Sequence, residues 1–132
     1  MTADRQGISV ISAVNLTVRN TSLSYTGVPS VLSGNVPGVD YGTPPMSGVD
    51  LEPDSPNQGF TNVTFADCEA IGNRGSGFNM YLRRSDVTSP ALAVTFRLCT
   101  VNGAGRGGFD LGAMAPGAGV GSYGILVVRS PS

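Results

Sequence analysis

The chain lacks histidine, lysine and tryptophan, and all eight of its cationic residues are arginine. The first two absences exclude histidine acid–base chemistry, lysine Schiff bases and histidine-ligated metal sites. Charged residues make up only 13% of the chain and the net charge is −1. No basic surface is therefore predicted, and we expect no binding to nucleic acid or to an anionic membrane.

The sequence also lacks an apolar run of about 18 residues, the length that a membrane-spanning helix requires. Its N-terminus, "MTADRQG", has no apolar segment typical of a signal peptide, so localisation stays open. With 132 residues, 40% of them apolar, we expect a single domain covering residues 1–132. The 19 glycines and 9 prolines raise the question of disorder, but regular apolar alternation between them argues against it.

Two sets of short segments alternate along the chain. The first set, "NLTVRNTSL" (15–23), "NVTFADCEA" (62–70) and "AVTFRLCTV" (93–101), aligns without gaps. The second set begins at glycines 7, 48, 77 and 108, which are 41, 29 and 31 residues apart, as in "GVDLE" and "GFDLG". An insertion at residues 24–47 accounts for the long first interval.

A period of about 30 residues, built from short alternating strands and Gly/Asn/Pro turns, is typical of a β-solenoid. Helical periodicity is absent, so the sequence predicts an all-β fold. An antiparallel sandwich is the competing architecture, because it also consists of short strands and turns. Similarity at equivalent positions of each repeat favours the solenoid, in which equivalent residues of successive coils stack.

The stretches "GISVISAVNLTVRNTSLSYTG", "SGVDLEPD" and "NVTFADCEAIGNRGSGF" resemble the right-handed parallel β-helix proteins of the pectate-lyase-like superfamily. The resemblance covers residues 7 to about 112 and implies a right-handed helix of roughly four coils with one long loop. It also implies carbohydrate or uronate chemistry, usually in secreted proteins. The histidine-containing motifs of polygalacturonases and alginate epimerases are absent, which puts catalysis in doubt.

The alternation predicts which columns of residues face inward. We expect Ile8, Val49, Phe78 and Phe109 to stack in the core, as should Val10, Leu51, Met80 and Leu111, and Leu16, Val63 and Val94. Cys68 and Cys99 should lie one coil apart, about 4.8 Å between Cα atoms. That spacing permits a disulfide, but buried free thiols are favoured because stacked positions rarely orient two sulfurs correctly.

The remaining positions predict an outward polar face. Ser9, Asp50, Asn79 and Asp110 should form one ladder, and Ile11, Glu52, Tyr81 and Gly112 the next. Asp50, Glu52 and Asp54 occupy alternate positions, which would put them on one solvent face if the strand continued that far. A solvated surface without function is the simplest interpretation of these ladders.

Two functional interpretations compete with it. Asp50, Glu52 and Asp110 are the candidate catalytic residues of a lyase or glycoside hydrolase, since Asp50 and Asp110 would be about 9–10 Å apart. Candidate substrate-binding residues are Asn79, Tyr81, Arg83 and Arg84, because arginine suits a uronate carboxylate and tyrosine a sugar ring. We expect a non-catalytic binding or structural module related to carbohydrate, with the acidic-polysaccharide enzyme as the alternative.

Partners and cofactors complete the expectations. No cofactor is predicted, although calcium bound by Asp50, Glu52 and Asp110 is an option because its ligands are oxygens. The C-terminal segment "YGILVVRS" is apolar on both faces through Ile125, Leu126, Val127 and Val128. Such a run predicts burial on both sides, so we expect these four residues to form a homodimer interface.

Overall fold

The computed structural model describes residues 7–27, 45–86, 88–114 and 123–128, with side chains up to residue 111. All regular structure in these ranges is β-strand, as the sequence predicts. Within them, no helix is long and apolar enough to cross a membrane. The strands are β1 Ile8–Val10, β2 Ala13–Val14, β3 Thr17–Arg19, β4 Ser22–Ser24, β5 Val49–Leu51, β6 Phe60–Thr61, β7 Val63–Ala66, β8 Glu69–Ile71, β9 Phe78–Leu82, β10 Leu92–Arg97, β11 Thr100–Asn102, β12 Phe109–Met114 and β13 Tyr123–Val128.

Every sheet collects equivalent strands from successive passes of the chain. The first sheet has the order β1-β5-β9-β12, the second β2-β6, the third β13-β10-β7-β3 and the fourth β11-β8-β4. All of their strand pairs are parallel. This arrangement is compatible with a β-helix-like solenoid, and it differs from the hairpins of an antiparallel sandwich.

The strand register confirms most of the predicted columns. Val49 pairs with Ile8 on one side and with Phe78 on the other, and Phe78 pairs in turn with Phe109. The same holds in the third sheet, where Thr17, Thr64 and Thr95 lie in one column. Equivalent residues therefore stack directly, which explains why the repeats are similar position by position.

One predicted column is wrong at its last member. The register between β9 and β12 shifts between Asp110 and Ala113, so that Ala113, and not Gly112, lies opposite Tyr81. An extra residue in one strand of a pair forms a β-bulge. Leu111, which was expected opposite Met80, falls within this irregularity, although it still packs against the core.

Phenylalanines dominate the interior. Phe65 and Phe96 stack in the column of the third sheet with ring centroids 5.5 Å apart, and Phe78 and Phe109 stack in the first sheet at 4.9 Å. The two columns meet edge to face, with Phe78 and Phe96 at 5.3 Å. Offset stacking and edge-to-face contacts are the preferred aromatic geometries. Pairing across the interior therefore holds the first and third sheets together.

The chain turns between sheets at single residues in the left-handed conformation. Asn15 and Asn62 have φ of 57° and 53°, and Asn62 Nδ2 donates to Asn15 Oδ1 at 2.9 Å. We call this column the first corner. Asparagine tolerates positive φ better than other residues except glycine.

Two further columns have the same backbone geometry. The second corner, between the third and fourth sheets, comprises Asn20, Asp67 and Leu98, with φ of 48°, 54° and 52°. The third corner follows the fourth sheet; it comprises Tyr25, Gly72 and Gly103, with φ of 56°, 59° and 75°.

The long loop predicted at residues 24–47 is described only at its ends. Ser24 belongs to β4. Thr26 and Met46 contact the turn of the next pass, where Arg74 N–H donates to Thr26 O at 3.0 Å and Gly75 N–H donates to Met46 O at 2.8 Å. A Cβ added to Gly27 would lie 2.6 Å from Met46 Cγ, so the two ends of the loop touch. Residues 28–44 lie outside the described residues.

Asn73 anchors the entrance to this loop. Its side chain is buried, with Nδ2 donating to Leu23 O at 2.9 Å and Oδ1 accepting from Thr26 N at 3.0 Å. Both backbone groups belong to the preceding pass. The amide thus satisfies buried polar groups that the change of direction at the corner would otherwise leave without partners.

Cys68 and Cys99 are free and buried, as the sequence predicts. Each thiol has two carbonyl acceptors within reach: Cys68 Sγ lies 3.4 Å from Ala66 O and 3.5 Å from Val18 O, and Cys99 Sγ lies 3.2 Å from Phe65 O and 3.5 Å from Arg97 O. Thr21, in the same column of the first pass, donates Oγ1–H to Arg19 O at 2.8 Å. Every member of the column is thus a small residue with a hydrogen-bond donor, either a thiol or a hydroxyl group.

Candidate functional site

The predicted polar ladder lies on the first sheet. Ser9, Asp50, Asn79 and Asp110 are consecutive partners across β1, β5, β9 and β12. Asn79 Nδ2 donates to Asp50 Oδ1 at 2.7 Å, the short distance typical of a bond to a carboxylate. Parallel pairing in register is what brings these side chains together.

Exposure along this ladder differs from the expectation. Asp50 is 0% exposed, Asn79 is half-buried and Asp110 is exposed. The prediction that Asp50 faces solvent is therefore wrong for this structure. Asp50 lies in an inner strand with a neighbour on each side, whereas Asp110 lies in the last strand of the sheet. A carboxylate without exposed surface cannot contact a polysaccharide in this conformation.

The alternation of Asp50, Glu52 and Asp54 does not continue along a strand. Strand β5 ends at Leu51, so that Glu52 and Asp54 belong to the loop that follows. Pro53 stands between them, and proline cannot donate a hydrogen bond to a sheet. Glu52 is half-buried and its backbone N–H still donates to Val10 O at 3.0 Å.

Arg84 pairs with Asp54, an acidic partner that the sequence does not predict. Its Nη1 lies 3.3 Å from Asp54 Oδ1 and 3.4 Å from Asp54 O. Asp54 is itself positioned by Gln58 Oε1, which accepts from the backbone N–H groups of Asp54 at 2.7 Å and Ser55 at 3.1 Å. Both ionic side chains are more than half exposed, so this pair contributes little to stability, about 0–1 kcal/mol.

The other candidate binding residues are accessible. Tyr81 is 38% exposed in β9, and Arg83 is exposed directly after that strand. Within the described residues Arg83 has no acidic partner within ion-pair distance, in contrast to Arg84. Asn79, Tyr81 and Asp110 thus form an outward face of the first sheet with one aromatic ring, one amide and one carboxylate, and Arg83 lies at its edge.

The described residues contain no group of three or more aspartate, glutamate, cysteine or histidine side chains that could hold a metal ion. Asp50, Glu52 and Asp110 do not form such a group there, and calcium binding stays a prediction. Strand β13 pairs with β10 and ends the third sheet, but the side chains of Ile125, Leu126, Val127 and Val128 lie outside the described residues. The homodimer interface stays a prediction.

Comparisons with known proteins give no match: no protein-family model, curated protein or solved structure is similar to the chain. The family resemblance noted in the sequence therefore rests on the motifs themselves and on the parallel sheets.

Proposed function

We propose that the protein is a small right-handed parallel β-helix of roughly four coils that binds an acidic polysaccharide without cleaving it. The observation that carries this proposal is the outward face formed by the exposed Tyr81 and Asp110 and the half-buried Asn79, with Arg83 at its edge. A tyrosine ring stacks on the apolar face of a sugar, and an arginine pairs with its carboxylate. Strands spaced about 4.8 Å apart would present these groups along an extended chain.

The burial of Asp50 favours binding over catalysis. Asp50, the central candidate for a catalytic acid or base, is fully buried and hydrogen-bonded to Asn79. Arg84, one of the candidate substrate-binding residues, is paired with Asp54, so the proposed face relies on Arg83 for its positive charge. The alternative, a lyase or hydrolase acting through Asp50, Glu52 and Asp110, is supported by the position of Asp50 and Asp110 two strands apart.

The test combines binding and turnover on the same substrates. Oligogalacturonates and oligoalginates are titrated by calorimetry, with and without calcium, and the same mixtures are assayed for unsaturated and reducing-end products. We expect binding without products. Tyr81→Ala should weaken binding by roughly tenfold, the equivalent of about 1.4 kcal/mol of lost stacking.

Arg83→Ala should also weaken binding, and Arg19→Ala is its matched control. Arg19 is an exposed arginine on the third sheet, away from the proposed face. Equal losses for the two arginine variants would indicate non-specific attraction and overturn the proposed site. Product formation would replace the binding module by the enzyme, and absence of both binding and turnover would contradict both functions.

A further inference from the structure

Tyr25 occupies a position where its own backbone is strained. Its φ is 56°, and the equivalent residues of the next two passes in the third corner are glycines, Gly72 and Gly103. Glycine adopts this conformation without steric conflict, whereas a bulky side chain crowds its own backbone there. The repeat thus places an aromatic residue at a position where the other passes have no side chain.

Burial does not explain why tyrosine is present. Tyr25 is 52% exposed, more than Tyr81, while Phe65, Phe78 and Phe96 in the core are fully buried. Its ring lies against the next pass: a Cβ added to Gly72 would be 2.7 Å from Tyr25 Cε1 and 2.8 Å from Cδ1. The glycine backbone supports one surface of the ring, and much of the side chain remains open to solvent.

Two arginines belong to the turns beside this ring. Residues 25–27, 45–48, 72–77 and 103–108 together form the turns beside the third corner, and they contain two arginines and no acidic residue. Arg74 and Arg106 are both exposed and belong to successive passes. Their backbones adjoin the corner one after the other: Arg74 N–H donates to Thr26 O at 3.0 Å, and Arg106 N–H donates to Gly75 O at 3.2 Å.

An exposed aromatic ring that is supported by backbone, with arginines in the adjoining turns, suits a ring-shaped anionic ligand. Backbone strain that stability does not explain is found most often at functional sites. We propose that the third corner is a second contact site for an acidic saccharide, in which Tyr25 stacks on a sugar ring and Arg106 pairs with a carboxylate. The ligand class rests on the proposed function, but the site is separate from the face that contains Tyr81.

The experiment separates strain from function at one position. Tyr25→Asn supplies a residue that tolerates positive φ, and Tyr25→Trp keeps an aromatic ring. The intact protein and both variants are titrated with oligogalacturonate, using a neutral oligoglucan of equal length as the control ligand, and their thermal midpoints are measured. We expect Tyr25→Asn to have an unchanged or higher midpoint and roughly tenfold weaker binding, while Tyr25→Trp retains binding.

The outcomes distinguish the two proposals. If Tyr81→Ala weakens binding and Tyr25→Asn does not, the first-sheet face stands and the third-corner site is wrong. If Tyr25→Asn weakens binding and Tyr81→Ala does not, the third corner stands and the first-sheet face is wrong. A lower midpoint for Tyr25→Asn with unchanged binding would show that Tyr25 is structural, and it would overturn the third-corner site.

Discussion

The glycines at the start of the first sheet and the residues of the three corners both occupy positions that restrict the side chain, but for different reasons. Glycine stands at 7, 48, 77 and 108, in every pass. The corners accept asparagine, aspartate, leucine, tyrosine and glycine. The residue type is therefore constant in the glycine column and variable in the three corners, although all four columns repeat from pass to pass.

The difference lies in where the obstacle is. A Cβ added to Gly7, Gly48 or Gly77 would approach the carbonyl oxygen of the glycine in the following pass to 2.7–2.8 Å. At a corner the conflict is between a residue and its own backbone, and its cost depends on the residue type. At these three glycines of the column, any side chain would therefore collide with the next pass. At a corner, the energetic cost of positive φ depends on which residue is present.

The largest expected effect comes from Gly77→Ala. Its Cβ would lie 2.8 Å from Gly108 O and 2.6 Å from Val101 Cγ2, so that both the next pass and the fourth sheet must move. Overpacking of this kind lowers the free energy of unfolding by about 1–3 kcal/mol. Urea denaturation followed by circular dichroism measures this loss.

Gly108→Ala is the matched control, because it changes the same column in the last pass. Its Cβ would have only ordinary contacts of 3.7–3.9 Å with Val101, so we expect little change in stability. Equal destabilisation by the two substitutions would show that glycine is required for its own conformation, and the contrast with the corners would disappear.

The repeat and its register could be predicted from the sequence because every pass repeats the same alternation. The columns of Val49 with Phe78 and of Phe65 with Phe96 follow directly from that pattern. The bulge after Asp110 could not be predicted, since "GFDLG" has the same alternation as its counterparts. Only the contacts between passes decide where an extra residue is accommodated.

The candidate site was less predictable than the fold. Alternation gives the side of a strand on which Asp50 lies, but not what covers it, and Asp50 proved to be buried. The pairing of Arg84 with Asp54 joins two loops 30 residues apart and has no local signal. In contrast, Pro53 indicates in the sequence itself that the strand ends before Asp54.

A smaller effect, of opposite sign, is expected at the second corner. Leu98 has φ of 52° where the preceding passes have Asn20 and Asp67. Leu98→Asn should raise the free energy of unfolding by up to about 1 kcal/mol, because asparagine tolerates positive φ and leucine does not. Loss of the half-buried leucine side chain offsets part of this gain.

The reciprocal substitution, Asn20→Leu, should lower stability by a similar amount in the same denaturation experiment. Together the two variants test whether the free energy of unfolding depends on which residue type adopts positive φ at this corner. A destabilised Leu98→Asn protein would mean that packing of the leucine outweighs its conformational strain, and the corner would then resemble the glycine column in depending on its neighbours.

The smallest expected effect concerns the position that follows the second corner, where the requirement is for a donor and not for a backbone conformation. Burial raises the pKa of the Cys99 thiol to about 11, so the thiol is protonated at neutral pH and can donate to Phe65 O at 3.2 Å or to Arg97 O at 3.5 Å. Cys99→Thr keeps a donor, as Thr21 does in the first pass, whereas Cys99→Val has the same shape without one. A buried hydrogen bond contributes about 0.5–1.5 kcal/mol, and a weak S–H donor lies at the lower end of that range. We therefore expect Cys99→Thr to match the native unfolding midpoint in urea and Cys99→Val to fall slightly below it. If the valine variant is as stable as the threonine variant, then only the size of the side chain matters at the position of Cys99, and its hydrogen bond does not contribute to stability.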